Sequence, residues 1–190
     1  MKLGWLALLG GLLSLLLIIA GLLLAPRLFR RRRARKLARS GARMRCHYMP
    51  DGRKLPAEEL KSIPGLTDTP AANLTNVLHR RDIDVATYLC DWPGRKLQTI
   101  ALLRFDTVMF QEFALRPAQR GEMIAFNPEL IRFLERQVQP FFISGSGHWL
   151  MIYREGRPVR PDELSTFLGE VHSIASMIKR SVLVETQLPE

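Results

Sequence analysis

The first 45 residues contain no aspartate or glutamate, and the whole chain of 190 residues has two cysteines and four histidines. Each scarcity removes a class of function. Cys46 and Cys90 stand 44 residues apart, and neither belongs to a C-x-x-C pair. The cytoplasmic placement that the charge distribution implies keeps both reduced, and the lack of a C-x-x-C pair argues against a cysteine zinc site. Cys46 adjoins His47, but neighbouring ligands without a second pair make a poor metal site. Cys90, in an apolar run, reads as a small buried hydrophobe. No metal, cofactor or catalytic residue is nominated.

The missing acids locate the charge. The chain carries a formal +10, which at first suggests nucleic-acid binding. Residues 1–45 hold 11 of the 28 basic residues, leaving 17 basic against 18 acidic residues in 46–190, a net of −1. The excess thus sits in the stem "RLFRRRRARKLARSGARMR", residues 27–45, whose only aromatic is Phe29. A nucleic-acid domain spreads its basic face over folded elements and interleaves aromatics. No nucleic-acid partner is expected.

Before the stem, residues 3–25 form an uncharged run of 23 residues. As a helix this is about 35 Å long, against a hydrocarbon core of about 30 Å. A cleaved signal peptide has a shorter apolar region and a small-x-small site. Here Leu23 precedes Ala25 by two places, and Pro26 and Arg27 follow at once. The segment reads as an uncleaved single-pass anchor. One lysine precedes it and ten Arg and Lys follow, so the C-terminal part is expected on the cytoplasmic side of the inner (plasma) membrane. The stem is first a topology signal. Arg27, Arg30, Arg31, Arg32, Arg33, Arg35, Lys36 and Arg39 also form a basic set that anionic lipid headgroups attract.

Within the anchor, Gly4, Ala7, Gly11, Ser14, Ile18, Gly21 and Ala25 recur at steps of three and four and share one face. Ala7, Gly11, Ser14 and Gly21 are the candidate helix-association seam, since small residues let two membrane helices approach closely. The seam admits a homodimer through the anchor or pairing with another membrane protein. The general abundance of Gly in membrane helices accounts for the same pattern.

The remaining length suits one domain. Four prolines and two glycines punctuate residues 46–80, which read as a linker with short helices, "PAEELKSI" and "TPAANLTNVLHR". Strands are expected in "VATYLCDW", "KLQTIALLRF", "TVMFQEFALR" and "EMIAF". A helix follows in "NPELIRFLERQV", then a hairpin of "PFFIS" and "WLMIYRE" across "GSGH". The closing helix, "RPDELSTFLGEVHSIASMIK", turns Leu164, Phe167, Leu168, Val171, Ile174 and Ile178 inward. The expected fold is α+β: an N-terminal transmembrane helix (1–26), a basic stem (27–45), the linker (46–80), and an antiparallel-sheet domain (81–190) with helices packed on one side.

Residues 74–178 resemble a widespread group of uncharacterised bacterial single-pass membrane-anchored proteins with an α+β cytoplasmic domain. The resemblance rests on "NVLHRRDIDVATYLCDW", on Phe113, Leu115, Arg116 and Pro117 of "TVMFQEFALRP", and on a W-x-x-x-Y-R strand before the final helix. These are packing residues, and the group lends no activity and no site residue.

Among the remaining motifs, "SGSGHW" offers Ser144, Gly145, Ser146, Gly147 and His148 as an anion loop or a Ser–His pair. It joins two strands rather than opening a helix, so a hairpin turn is the simpler account. "HRRD" (His79–Asp82) has neither a glycine-rich loop nor a D-F-G to make it a kinase loop. Asp82 and Asp84 read as solvating a strand start. His172, two places from Glu170, reads as an exposed helical histidine. The function expected is a membrane-anchored cytoplasmic interaction domain with an unknown protein partner. The alternative is a small-molecule-binding or enzymatic domain whose pocket has no motif.

Overall fold

The computed structural model describes residues 18–19, 24–25, 28–67, 69–93, 97–115, 128–154 and 156–185, the side chains of 182–185 excepted. The chain divides into two compact units, Met1–Lys36 and Leu37–Glu190. In the first, all the described residues are helical. The seam residues Ala7, Gly11, Ser14 and Gly21, the stem's Arg27, and most of the run 3–25 lie outside the described residues. Among the described residues no helix is long and apolar enough to cross a membrane. Arg30–Arg33 are helical, so at 100° per residue their side chains leave the axis in four directions and make a ring of charge rather than a stripe.

The second unit opens with helical residues 37–43 (α1). There follow β1 (His47–Asp51), α2 (Ala57–Lys61), a 3-10 turn (Ala71–Asn73), β2 (Thr75–Arg81), β3 (Val85–Pro93), β4 (Leu97–Phe105), β5 (Phe110–Leu115), α3 (Pro128–Glu135), β6 (Phe141–Gly147), β7 (Trp149–Arg154) and α4 (Leu164–Glu185). The strands form one antiparallel sheet in the order β1-β2-β3-β4-β7-β6-β5. The α+β class is as the sequence implies. The strand expected at 122–126 and Asn127, the first residue of the helical stretch expected after it, lie outside the described residues.

Period-two alternation builds two cores. On β4 and β7, Ala101, Leu103, Leu150 and Ile152 face one side and Ile100, Leu102, Trp149 and Met151 the other. The first face packs against Phe167, Val171, Ile174 and Ile178 of α4, with Leu37 of α1 and Leu130 of α3 in the same cluster. The second face packs against Leu55, Leu60, Ile63, Leu66, Ala71 and Leu74. Strands apolar on both faces need cover on both. The expectation of helices on one side is therefore corrected: α2 and its flanking turns cover the opposite face.

The linker reading of 46–80 is corrected with it. β1 pairs with β2, and β2 with β3, so this segment supplies two strands of the sheet and the lid over its second core. The helix expected in "TPAANLTNVLHR" is a 3-10 turn followed by β2. The chain makes one turn with no side-chain cap at Pro70, after which Val77 and Leu78 bury on opposite faces of the sheet and strand pairing on both sides prevails. Asn76, at φ 52°, sits at a register shift in β2. Its side chain accepts from Tyr48 Oη at 2.9 Å and donates to Asp91 at 2.9 Å. Thr99 donates to the other oxygen of Asp91 at 3.1 Å and accepts from the Val159 amide at 3.0 Å. This chain of bonds satisfies the buried carboxylate and ties β1, β2, β3 and β4 to the approach to α4.

Candidate functional site

The residues singled out by motif are brought to separate places, each with a packing task. β6 runs through Gly147 and β7 begins at Trp149, so "SGSGH" is mostly strand and its connection is shorter than expected. Ser144 donates to the Pro64 carbonyl at 3.0 Å on the α2 side. His148 donates from Nδ1 to the Val108 carbonyl at 2.9 Å. Hydroxyl and imidazole are thus each committed to a different main-chain oxygen, and no Ser–His pair forms between them. A Cβ on Gly145 would collide with the ring of Phe113, and Gly147 takes φ 54°. Close approach and backbone conformation account for both glycines.

"HRRD" disperses in the same way. His79 stacks on Tyr88 at 4.5 Å, with its Nε2 buried and without a hydrogen-bond partner among the described residues. Burial, then the neighbouring His47 and Arg81, holds its pKa below the ordinary histidine value. Arg80 pairs with Asp82 at 2.8 Å and Arg81 with Asp106 at 2.7 Å. Asp82 and Asp84 bound the β2–β3 turn, as expected for a strand start. Burial pushes the Cys46 thiol up, and pushes Cys90 much further, so the thiolate a nucleophile needs is disfavoured at both. Among the described residues no three of His, Cys, Asp or Glu are grouped to hold a metal ion.

His172 departs from its expected exposure. It is half-buried, with Nε2 at 3.2 Å from the Thr87 hydroxyl of β3, and burial lowers its pKa. Glu170 turns instead to Arg154, whose guanidinium lies 4.4 Å over the Phe141 ring. The arginine of the W-x-x-x-Y-R strand therefore clamps β7 to α4.

Two polar arrangements have no motif. In the first, Trp149, 1% exposed, donates from Nε1 to Glu59 at 2.8 Å, and Arg104 reaches the same oxygen at 3.2 Å. The bond from Trp149 is the main reason Glu59 titrates below the ordinary glutamate value. This contact fixes α2 on the sheet. The second is an open groove of about 920 Å³ between α3 and α4. Arg132 and Arg136, one turn apart, line its α3 side; Arg180, Ser173 and Ser176 line its α4 side; the half-buried Phe133 supplies apolar surface, while Met177, 4% exposed, belongs to the core. Arg180 pairs with Glu129 at 3.2 Å, whereas Arg132 and Arg136 have no acidic partner among the described residues. The i, i+4 arginines were visible in the sequence as one face of a helix. That α4 would present Arg180 and two serines opposite them was not.

The groove can hold an anionic group against two or three guanidinium donors beside an apolar surface. It has no nucleophile and base within one hydrogen-bonded set among the described residues. No family model, no curated protein and no solved structure matches this chain.

Proposed function

We propose that this chain is a single-pass protein of the inner (plasma) membrane whose cytoplasmic α+β unit binds a protein partner through the α3–α4 groove. The observation that carries the reading is the pair Arg132 and Arg136, left without acidic partners among the described residues beside an apolar surface. Interface cores favour arginine next to aromatic side chains, and the half-buried Phe133 provides one. The membrane half rests on the sequence: the uncharged run 3–25, the acid-free stem, and a remainder of net −1. The ring formed by Arg30–Arg33 suits a juxtamembrane segment that meets anionic headgroups on all sides. The anchor seam adds a route to homodimers, and the anchored α+β organisation is that of the bacterial group the sequence resembles.

The alternative, a small-molecule-binding or enzymatic domain, is favoured by one observation. The groove's volume lies within the range of about 300–1,000 Å³ common to ligand pockets. Two measurements test the proposal. A reporter active only in the cytoplasm, fused after Glu190, is expected to work; activity solely from a periplasm-dependent reporter reverses the orientation. In-cell crosslinking of the full chain should yield protein adducts that disappear in Arg132→Glu/Arg136→Glu. Adducts unchanged by that variant remove the groove from the reading.

A further inference from the structure

Two hollows flank one ridge of α4, and His172 and Ser176 line both. On one side lies the α3–α4 groove with its arginines. On the other, the β2–β3 turn carries Asp82, Ile83 and Asp84 beside Leu103, Phe105 and Ala175. Ile83 is 94% exposed. A single exposed apolar residue is ordinary. Its setting is not: it projects between two carboxylates, one α4 ridge away from cations that lack acidic partners. Asp82 is held by Arg80 at 2.8 Å, while Asp84 reaches Lys179 only at 4.0 Å and stays 58% exposed.

We infer that this face docks a second copy of the chain, with the Asp82–Ile83–Asp84 tip of each copy seated in the α3–α4 groove of the other. The inference rests on the groove being a docking surface and names its occupant. Three features of the face agree. An isologous pair needs donor and acceptor patches on one face, either side of the two-fold axis, and the His172–Ser176 ridge separates them in that way. The charges are complementary, Asp84 against Arg132 and Arg136. The side chain between the carboxylates is apolar, and the half-buried Phe133 gives it matching surface. A free small anion would use the arginines and leave Ile83 without a role. Confinement to a membrane would raise the effective concentration of one copy for another.

The test uses the full chain in membranes, with Cys46→Ser removing the half-buried thiol and Ser176→Cys placing a thiol on the ridge next to the axis. Mild oxidation should join two copies through residue 176. Arg132→Glu/Arg136→Glu, which sets an acidic tip against an acidic groove, should reduce joining on the order of tenfold. Asp84→Lys, which sets a basic tip against a basic groove, should do the same. Co-expressing the two variants should restore joining, because each mixed contact again pairs opposite charges. That recovery separates a lost interface from a lost fold. Absence of joining in the parent, joining indifferent to either variant, or no recovery in the mixture overturns the inference. Sedimentation of the same samples with membranes reads the anchoring proposal separately, so either can fail alone.

Discussion

Phe113 of β5 lies across Gly145 of β6, its ring filling the space that a side chain at 145 would need. The pair explains a glycine that invites a functional reading when seen only in "SGSGHW". It also joins β5 to the hairpin before α4.

Gly145→Val should therefore destabilise the domain by about 1–3 kcal/mol, the usual result of forcing side-chain volume into a packed site. Phe113→Leu in the same chain should recover part of that loss. Denaturant titration of both variants checks it, and an unaffected Gly145→Val would mean that the ring moves aside freely.

Glu59 and Trp149 give a second expectation. Glu59→Ala leaves the buried Trp149 Nε1 without its acceptor, costing about 1–3 kcal/mol. A pH dependence follows. Because the folded-state pKa of Glu59 is lowered from 4.5, its contribution is complete above that value and is lost as pH falls through the folded-state pKa. Stability measured from pH 6 downward should show this component in the wild type and not in Glu59→Gln.

His172 acts in a higher window. Its pKa is lowered from 6.5 by burial, with Asp82 opposing and Arg80 reinforcing the shift. The folded state thus prefers the neutral ring, so stability is full above 6.5 and declines as pH falls below it. His172→Gln should lessen the decline between pH 6.5 and the onset of glutamate titration, the remainder belonging to His79, whose pKa burial also lowers from 6.5. Thermal unfolding across that interval is the measurement.

In the proposed anchor, Gly11→Leu places a bulky side chain on the proposed seam between Ala7 and Ser14. Association of the isolated segment in a membrane dimerisation assay should weaken by about 1–2 kcal/mol, while Leu12→Ile changes little. Equal signals from all three sequences would reduce the seam to a compositional coincidence.

Where a physical signal is local, residues alone sufficed. The inward face of α4 follows from apolar spacing at 3.6 residues, and Leu164, Phe167, Leu168, Val171, Ile174 and Ile178 are all buried. β3, β4, β5 and the β6–β7 hairpin follow from β-branched runs, alternation and turn residues, and α2 and α3 from helix-forming stretches that open on a proline. The charge split between 1–45 and 46–190 is likewise a property of the sequence.

Tertiary structure decided what depends on partners distant in the chain. Residues 69–80 carry helix-start signals worth about 1 kcal/mol, yet the strand β2 wins because neighbours on both sides supply hydrogen bonds and two cores take its side chains. Glu59 is 90 residues from Trp149, and Arg132 and Arg136 are more than 40 from Arg180, so no spacing rule connects them. Nor does local sequence show that His172 would find Thr87 while Glu170 found Arg154. A helix period says which way a side chain points. What it meets there is set by the elements that pack against that face.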